Sequence, residues 1–276
     1  MNEQEATMRR PMTRRFFFTC TGAALAGMAP LSATGQVAEA QSARSGRSIT
    51  LGIIGWDEDT AISTLTKILL VEDLAYTSVR ETLADVGILF EGVGAGDLAT
   101  FQDVWMPNHT AYYNRVKNEV EMLPPWFIGT TKFSMAVPSY MHITSIAQLN
   151  ATKAKVIYGI EPGAVITERI KKYVLPEYHL TQTFLPSSTA AMLAEVARAY
   201  KTKEPFVFIA WSPHWMNYKY GITYLSDPKG ALGNLTKPSR LTTIVHKEGP
   251  QAVRPGRVHA DEEHKAHRRA GEPHRV

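Results

Sequence analysis

Short apolar runs alternate with stretches of helical periodicity along this chain, and that alternation restricts its fold more than any other feature. Residues 49–54 form an apolar run that stops at Gly55 and Trp56, the pattern of a buried strand. Asp57, Glu58 and Asp59 follow, and then Ile62, Leu65, Ile68, Leu69 and Leu74 recur on one face of a helix. The three acids sit where that helix begins, a place for carboxylates that cap amides and meet the positive end of the dipole. Gly92, Gly94 and Gly96-Asp97 predict a turn before a strand at 101–105. Helices are expected at 112–120, 165–174 and 189–200, and extended segments at 133–137, 156–160 and 206–211. The pattern predicts an α/β class with mainly parallel sheet. Two strand-then-helix blocks, near 49–120 and 155–211, predict two lobes.

Composition limits the partners. The chain has 276 residues, 44% hydrophobic and 20% charged, enough for a sizeable core. Of its net +4, most is carried by the two ends; residues 41–245 hold 19 basic and 18 acidic groups. That near-neutrality argues against nucleic-acid binding driven by phosphate contacts. The single Cys20 excludes an internal disulfide, an iron–sulfur cluster and a Cys-based zinc site. No metal and no cofactor are expected.

The ends differ from the middle. Arg9, Arg10, Arg14 and Arg15 precede a short apolar run at 16–29, and Ala38-Glu39-Ala40 offers small residues for cleavage before Gln41. Residues 1–40 therefore read as an export signal, which places the mature chain in the periplasm or otherwise outside the cytoplasm. Thr13-Arg14-Arg15-Phe16-Phe17 resembles the twin-arginine pattern, and an ordinary signal with adjacent arginines is the other reading. Residues 41–48 form a polar linker. Residues 247–276 contain no Leu, Ile, Phe, Tyr, Trp or Met, although His259, His264, His267 and His274 fall there. Such a segment cannot bury enough apolar surface to fold alone, which favours a disordered or frameshifted tail over a His-rich metal site.

The chemistry lies in the tryptophans. In α/β sheets, ligands bind beyond the carboxyl ends of strands, and Trp56, Trp105 and Trp211 all fall at such ends. A quaternary ammonium has no N–H to donate, so its natural receptor is a set of aromatic faces, each worth about 0.5–2 kcal/mol. Tyr140, after Pro138-Ser139, is a candidate fourth wall. A tryptophan at a strand end also serves as ordinary packing, the reading given to Trp126 and Trp215. Glu161-Pro162-Gly163-Ala164-Val165-Ile166 enters a helix, and the amides of Val165 and Ile166 there suit a carboxylate. His109, four residues past Trp105, is a further donor; His214 is a candidate of the same kind.

These residues carry a resemblance. Gly55-Trp56-Asp57-Glu58, Asp103-Val104-Trp105-Met106-Pro107, Ala136-Val137-Pro138-Ser139-Tyr140, Tyr158-Gly159-Ile160-Glu161-Pro162-Gly163, Ser188-Thr189-Ala190-Ala191-Met192-Leu193-Ala194 and Ala210-Trp211-Ser212-Pro213-His214-Trp215 resemble segments of the substrate-binding proteins of glycine betaine-type ABC importers. They occur in one consistent order between about residues 49 and 246. The resemblance implies a two-lobed periplasmic-binding-protein fold (type II-like), with a ligand cleft between lobes that closes by hinge motion. Lobe 1 is expected at 47–137 plus 240–246, and lobe 2 at 140–235. It also implies that Trp56, Trp105 and Trp211 form the box, that Val165 and Ile166 supply amides, and that His109 supplies the side-chain donor. Val165 stands where the family usually has Gly, and a β-branched residue does not readily adopt φ > 0.

The implied ligand is glycine betaine, whose cation and carboxylate both find partners, and the implied protein partners are an ABC permease and its ATPase, served by a monomer. Choline is the alternative; lacking a carboxylate, it would lean on a counter-charge such as Glu58, while Ala164 offers its hydroxyl no side-chain hydrogen bond. A periplasmic enzyme acting on a betaine is the competing class. The sequence has no G-x-S-x-G elbow, H-E-x-x-H helix or P-loop to support it.

Overall fold

The computed structural model describes residues 47–249, which belong to one compact unit. The signal at 1–40, most of the linker at 41–48 and all but the first three residues of the tail at 247–276 lie outside the described residues.

In chain order the strands are β1 (Ser48–Ile53), β2 (Ser78–Leu83), β3 (Thr100–Met106), β4 (Val120–Met122), β5 (Lys132–Pro138), β6 (Val156–Tyr158), β7 (Thr183–Leu185), β8 (Val207–Ser212), β9 (Ile222–Tyr224) and β10 (Arg240–His246). They form two five-stranded sheets, ordered β2-β1-β3-β10-β4 and β7-β6-β8-β5-β9. The two orders repeat one plan. β1 is parallel to β2 and β3, as β6 is to β7 and β8. β10 is antiparallel to β3 and β4, as β5 is to β8 and β9. Parallel and antiparallel pairings are thus equal in number, where mainly parallel sheet was expected. β5 and β10 are the strands by which the chain crosses from one sheet to the other, so each enters against the local direction.

The helices that matter for the site follow parallel strands. α1 (Asp57–Glu72) follows β1, α2 (Val86–Ala95) follows β2, and α3 (Thr110–Val116) follows β3. In the second lobe α4 (Val165–Arg169), extended by a π-helical turn at Ile170–Val174, follows β6, and α5 (Thr189–Lys201) follows β7. No helix among the described residues is long and apolar enough to cross a membrane.

Two local expectations are corrected. Gly92 and Gly94 lie inside α2, not in a turn. A Cβ on Gly92 would stand 2.8 Å from Leu98 Cδ1, and one on Gly94 would stand 2.7 Å from Val116 Cγ1, so these glycines permit close packing. Only Gly96, with φ +81°, ends the helix in the left-handed region. On α1 the apolar stripe does not face the core. Asp59, Ser63 and Leu70 are its buried residues, while Leu65, Ile68 and Leu69 are exposed. Ile62, Leu69 and Leu74 instead line a surface groove with Leu123, Pro124 and Trp126.

Candidate functional site

The carboxyl ends of β1, β3, β6 and β8 converge on one cavity. Trp56, Glu58, Trp105, Asn108, His109, Phe133, Ile160, Ala164, Val165 and Trp211 line it. The three tryptophans, of which Trp211 lies more than a hundred positions from the other two, therefore share one space. All three are almost fully buried.

Each indole is held by a carboxylate. Trp56 Nε1 donates to Glu161 Oε2 at 2.8 Å, Trp105 Nε1 to Asp103 Oδ1 at 3.0 Å, and Trp211 Nε1 to Glu58 Oε2 at 2.9 Å. An indole N–H has one hydrogen to give, so each bond fixes the ring's orientation and leaves its face free. Two of the three bonds join the lobes: Trp56 reaches Glu161 beyond β6, and Glu58 on α1 reaches Trp211 on β8. Tyr112 Oη adds a donation to Gly163 O at 3.0 Å, and Trp215 Nε1 donates to Asp57.

The carboxylates are themselves anchored. Glu161 also accepts from Thr189 N at 2.7 Å and Thr189 Oγ1 at 2.9 Å, at the start of α5 where the dipole favours negative charge. Asp59 Oδ2 accepts from Ile54 N at 2.6 Å and so ties the first turn of α1 back to the end of β1. Burial is the main cause of unusual acidity here. It raises Glu58 to about 8 and Asp59 to about 7, and it lifts Asp103 well above the usual carboxylate range.

His109 is locked to Trp105. Its backbone N–H donates to Trp105 O at 2.8 Å, and its Nδ1 accepts from Trp105 N at 3.1 Å. An accepting Nδ1 assigns the ring proton to Nε2, and burial lowers the imidazole pKa to about 3. A neutral ring with an Nε2–H donor thus lines the cavity. His214 repeats the arrangement: its Nδ1 accepts from Met216 N at 3.0 Å, burial lowers it to about 4, and Nε2 lies 3.1 Å from Asp57 Oδ2. His214 is not among the lining residues.

Val165 and Ile166 are the first two residues of α4, so their amides have no carbonyl one turn back within the helix. Val165 lines the cavity; the Ile166 side chain is buried away from it. The β-branched residue in place of Gly causes no conflict, because Val165 is not among the residues with positive φ.

Tyr140 requires a correction. It was expected as a fourth wall, but its hydroxyl donates to Glu204 O at 2.6 Å and its ring packs on Tyr200, beside a separate surface pocket. Pro138 ends β5, and the chain turns away before Tyr140. The fourth ring is Phe133, near the start of β5, with its centroid 5.9 Å from Trp105 and 6.4 Å from Trp211. Asn108 was also missed: both polar atoms of its side chain are buried without a partner, on the cavity wall.

Residues 47–253 match the family described as the substrate binding domain of ABC-type glycine betaine transport system. The chain belongs to this family. Its fold is similar to lactococcal OpuAC in a closed conformation complexed with glycine betaine, with a TM-score of 0.65 and 31% identity over 75% of this chain and 82% of that one. It is also similar to an ABC-transporter choline binding protein in complex with choline, with a TM-score of 0.63 and 27% identity over 73% and 72%. In sequence it resembles the glycine betaine/carnitine transport binding protein GbuC of Listeria monocytogenes, 38% identical over 36% of this chain and 32% of the relative. The glycine betaine/proline betaine-binding periplasmic protein of Salmonella typhimurium is 27% identical over 53% and 50%. The chain thus matches half or less of the length of these two curated relatives.

Proposed function

We propose that this protein captures a quaternary ammonium compound, glycine betaine first, between the faces of Trp56, Trp105 and Trp211, and delivers it to an ABC permease driven by its ATPase. The observation that carries this reading is the shared cavity of three buried tryptophans, each with its N–H turned to a carboxylate and its face left free. Phe133 closes the apolar side of the cage. A methylated ammonium gains there what water cannot give it, several electron-rich faces in a desolvated space.

The carboxylate of glycine betaine is matched by three kinds of neutral donor: His109 Nε2–H, the amides of Val165 and Ile166, and Asn108 Nδ2. Neutral donors suit a zwitterion, because they hold the anion without adding charge to a site that already balances itself. Closure of the lobes makes the inter-lobe bonds of Trp56, Glu58 and Tyr112, so capture and closure are coupled. The protein acts outside the cytoplasm, as a monomer, and performs no covalent chemistry on the ligand.

Choline is the second reading, favoured by one observation: Glu58 lines the cavity and its Oε1 is buried without a hydrogen-bond donor. Calorimetric titration of the purified chain with both ligands tests the proposal. Saturable one-to-one binding of glycine betaine, tighter than choline, supports it. Tighter choline binding reverses the ranking, and binding of neither removes the function.

A further inference from the structure

Behind the cage lies an acid pair that the capture of a zwitterion does not use. Glu58, on the first turn of α1, and Asp103, in the middle of β3, lie within hydrogen-bonding reach of each other. One oxygen of each is already taken by an indole: Glu58 Oε2 by Trp211 and Asp103 Oδ1 by Trp105. The other oxygens, Glu58 Oε1 and Asp103 Oδ2, are both buried without a donor. Two carboxylates cannot satisfy each other, since each only accepts; a carboxylic acid and a carboxylate can. The geometry is therefore complete only when one proton sits between them.

The surrounding titratable groups supply no counter-charge. Asp57 and Asp59 flank Glu58 on α1 and are themselves acids. His109, beyond β3, is neutral, and Glu161, beyond β6, is occupied by Trp56 and Thr189. His214, beyond β8, is neutral and faces Asp57. No lysine or arginine lines the cavity, and no group of three or more His, Cys, Asp or Glu among the described residues is placed to hold a metal ion.

We propose that Glu58 and Asp103 share one proton, and that this pair distinguishes ligands by net charge: a ligand of net positive charge expels the proton, whereas a zwitterion leaves it in place. The inference rests on the quaternary-ammonium reading of the cavity and deepens it. A cation such as choline brings one uncompensated charge into a desolvated space beside Glu58. The site answers by releasing one proton to solvent, which leaves the Glu58 carboxylate facing the new cation with Asp103 behind it. Glycine betaine brings its own anion to His109 and Asn108, so the field at Glu58 changes less. Burial that lifts Glu58 to about 8 and raises Asp103 places this exchange near neutral pH. Asp103 acts through Glu58 and is a positioning residue.

Calorimetry of the purified chain with choline and with glycine betaine tests this, in buffers of different ionisation enthalpy and over about pH 6 to 9. For choline, affinity is expected to rise by up to roughly tenfold per pH unit and level off above about pH 8, with protons released to the buffer. For glycine betaine the slope is expected to be less than about half of that. Glu58→Gln should abolish the choline slope. Asp103→Asn, which offers Glu58 a permanent donor, should move the rise to lower pH. Equal slopes for the two ligands, or no proton release with either in the unaltered chain, would overturn the inference while leaving the capture reading intact, and neither result depends on a variant folding. Binding of neither ligand at any pH would overturn both.

Discussion

Trp211 Nε1 donates to Glu58 Oε2 at 2.9 Å across 153 residues of chain. This bond joins the end of β8 in one lobe to the first turn of α1 in the other, and it fixes one wall of the cavity at the same time. The same arrangement, an indole held edge-on by a carboxylate, recurs at Trp56 and Trp105. Only the Trp105 bond lies within one lobe, so that wall is pre-organised, whereas the bonds of Trp56 and Trp211 fix their rings when the lobes meet.

Trp105 is the most direct probe of that cage. Trp105→Ala is expected to weaken glycine betaine binding by about 1–2 kcal/mol or more, the scale of a desolvated cation–π contact. Titration calorimetry on a variant with an unchanged circular dichroism spectrum measures it. Unchanged affinity would remove Trp105 from the cage.

His109 should separate the two ligand classes. Its Nε2–H has work only when the ligand carries an anion. His109→Leu is expected to cost glycine betaine roughly tenfold in affinity while changing choline by less than about twofold, the value of one hydrogen bond to a charged group. An equal loss for both ligands would show that His109 only props Trp105.

Stability without ligand should depend on pH in a definite direction. Glu58 is raised from 4.5 to about 8 and Asp59 from 3.8 to about 7. The folded state binds more protons than the unfolded one across those windows, so their contribution is present at low pH and lost as pH rises through the folded values. His109 and His214 are lowered from 6.5 to about 3 and about 4. Their effect is opposite in sign, with stability rising between those values and 6.5. Above 6.5 only the acids act, so denaturation midpoints should fall from pH 6.5 to about pH 8.5. Glu58→Gln should flatten that fall. A midpoint that rises over the same range would contradict the burial of these acids.

The sequence showed the strand ends well and the helix faces poorly. Trp56, Trp105 and Trp211 could be placed because each closes or follows an apolar run, and strand direction then dictates where a carboxyl end points. Phe133 was visible as the first apolar residue of β5, but a lone Phe there gives no sign of facing a ligand. Tyr140 misled because a tyrosine seven positions past the wall residue Phe133 has no period that reports a turn at Pro138. The α1 stripe misled for another reason: Asp59 and Ser63 turn inward to hold the strand end and the helix start, a polar task that hydrophobic periodicity cannot register. The acid pair was invisible, since Glu58 and Asp103 are 45 positions apart and each has an ordinary local explanation.

Gly92 and Gly94 show the same limit and give a test. Both read as turn punctuation, yet both lie within α2 against neighbours. Gly94→Ala places a Cβ 2.9 Å from Val116 Cβ, an atom that cannot swing away, whereas Gly92→Ala meets the flexible end of Leu98. Gly94→Ala is expected to destabilise by about 1–3 kcal/mol before the helix-propensity gain of about 1 kcal/mol, and to cost more than Gly92→Ala. Urea denaturation of the two variants decides it; the reverse order would mean that α2 and α3 pack less closely than described.

A crystal structure of the protein grown with saturating glycine betaine shows where the ligand sits. The quaternary nitrogen is expected within about 6 Å of the ring centroids of Trp56, Trp105 and Trp211, with the ligand carboxylate turned to His109 and the start of α4. A ligand bound elsewhere, or this cavity empty at saturation, would contradict that placement.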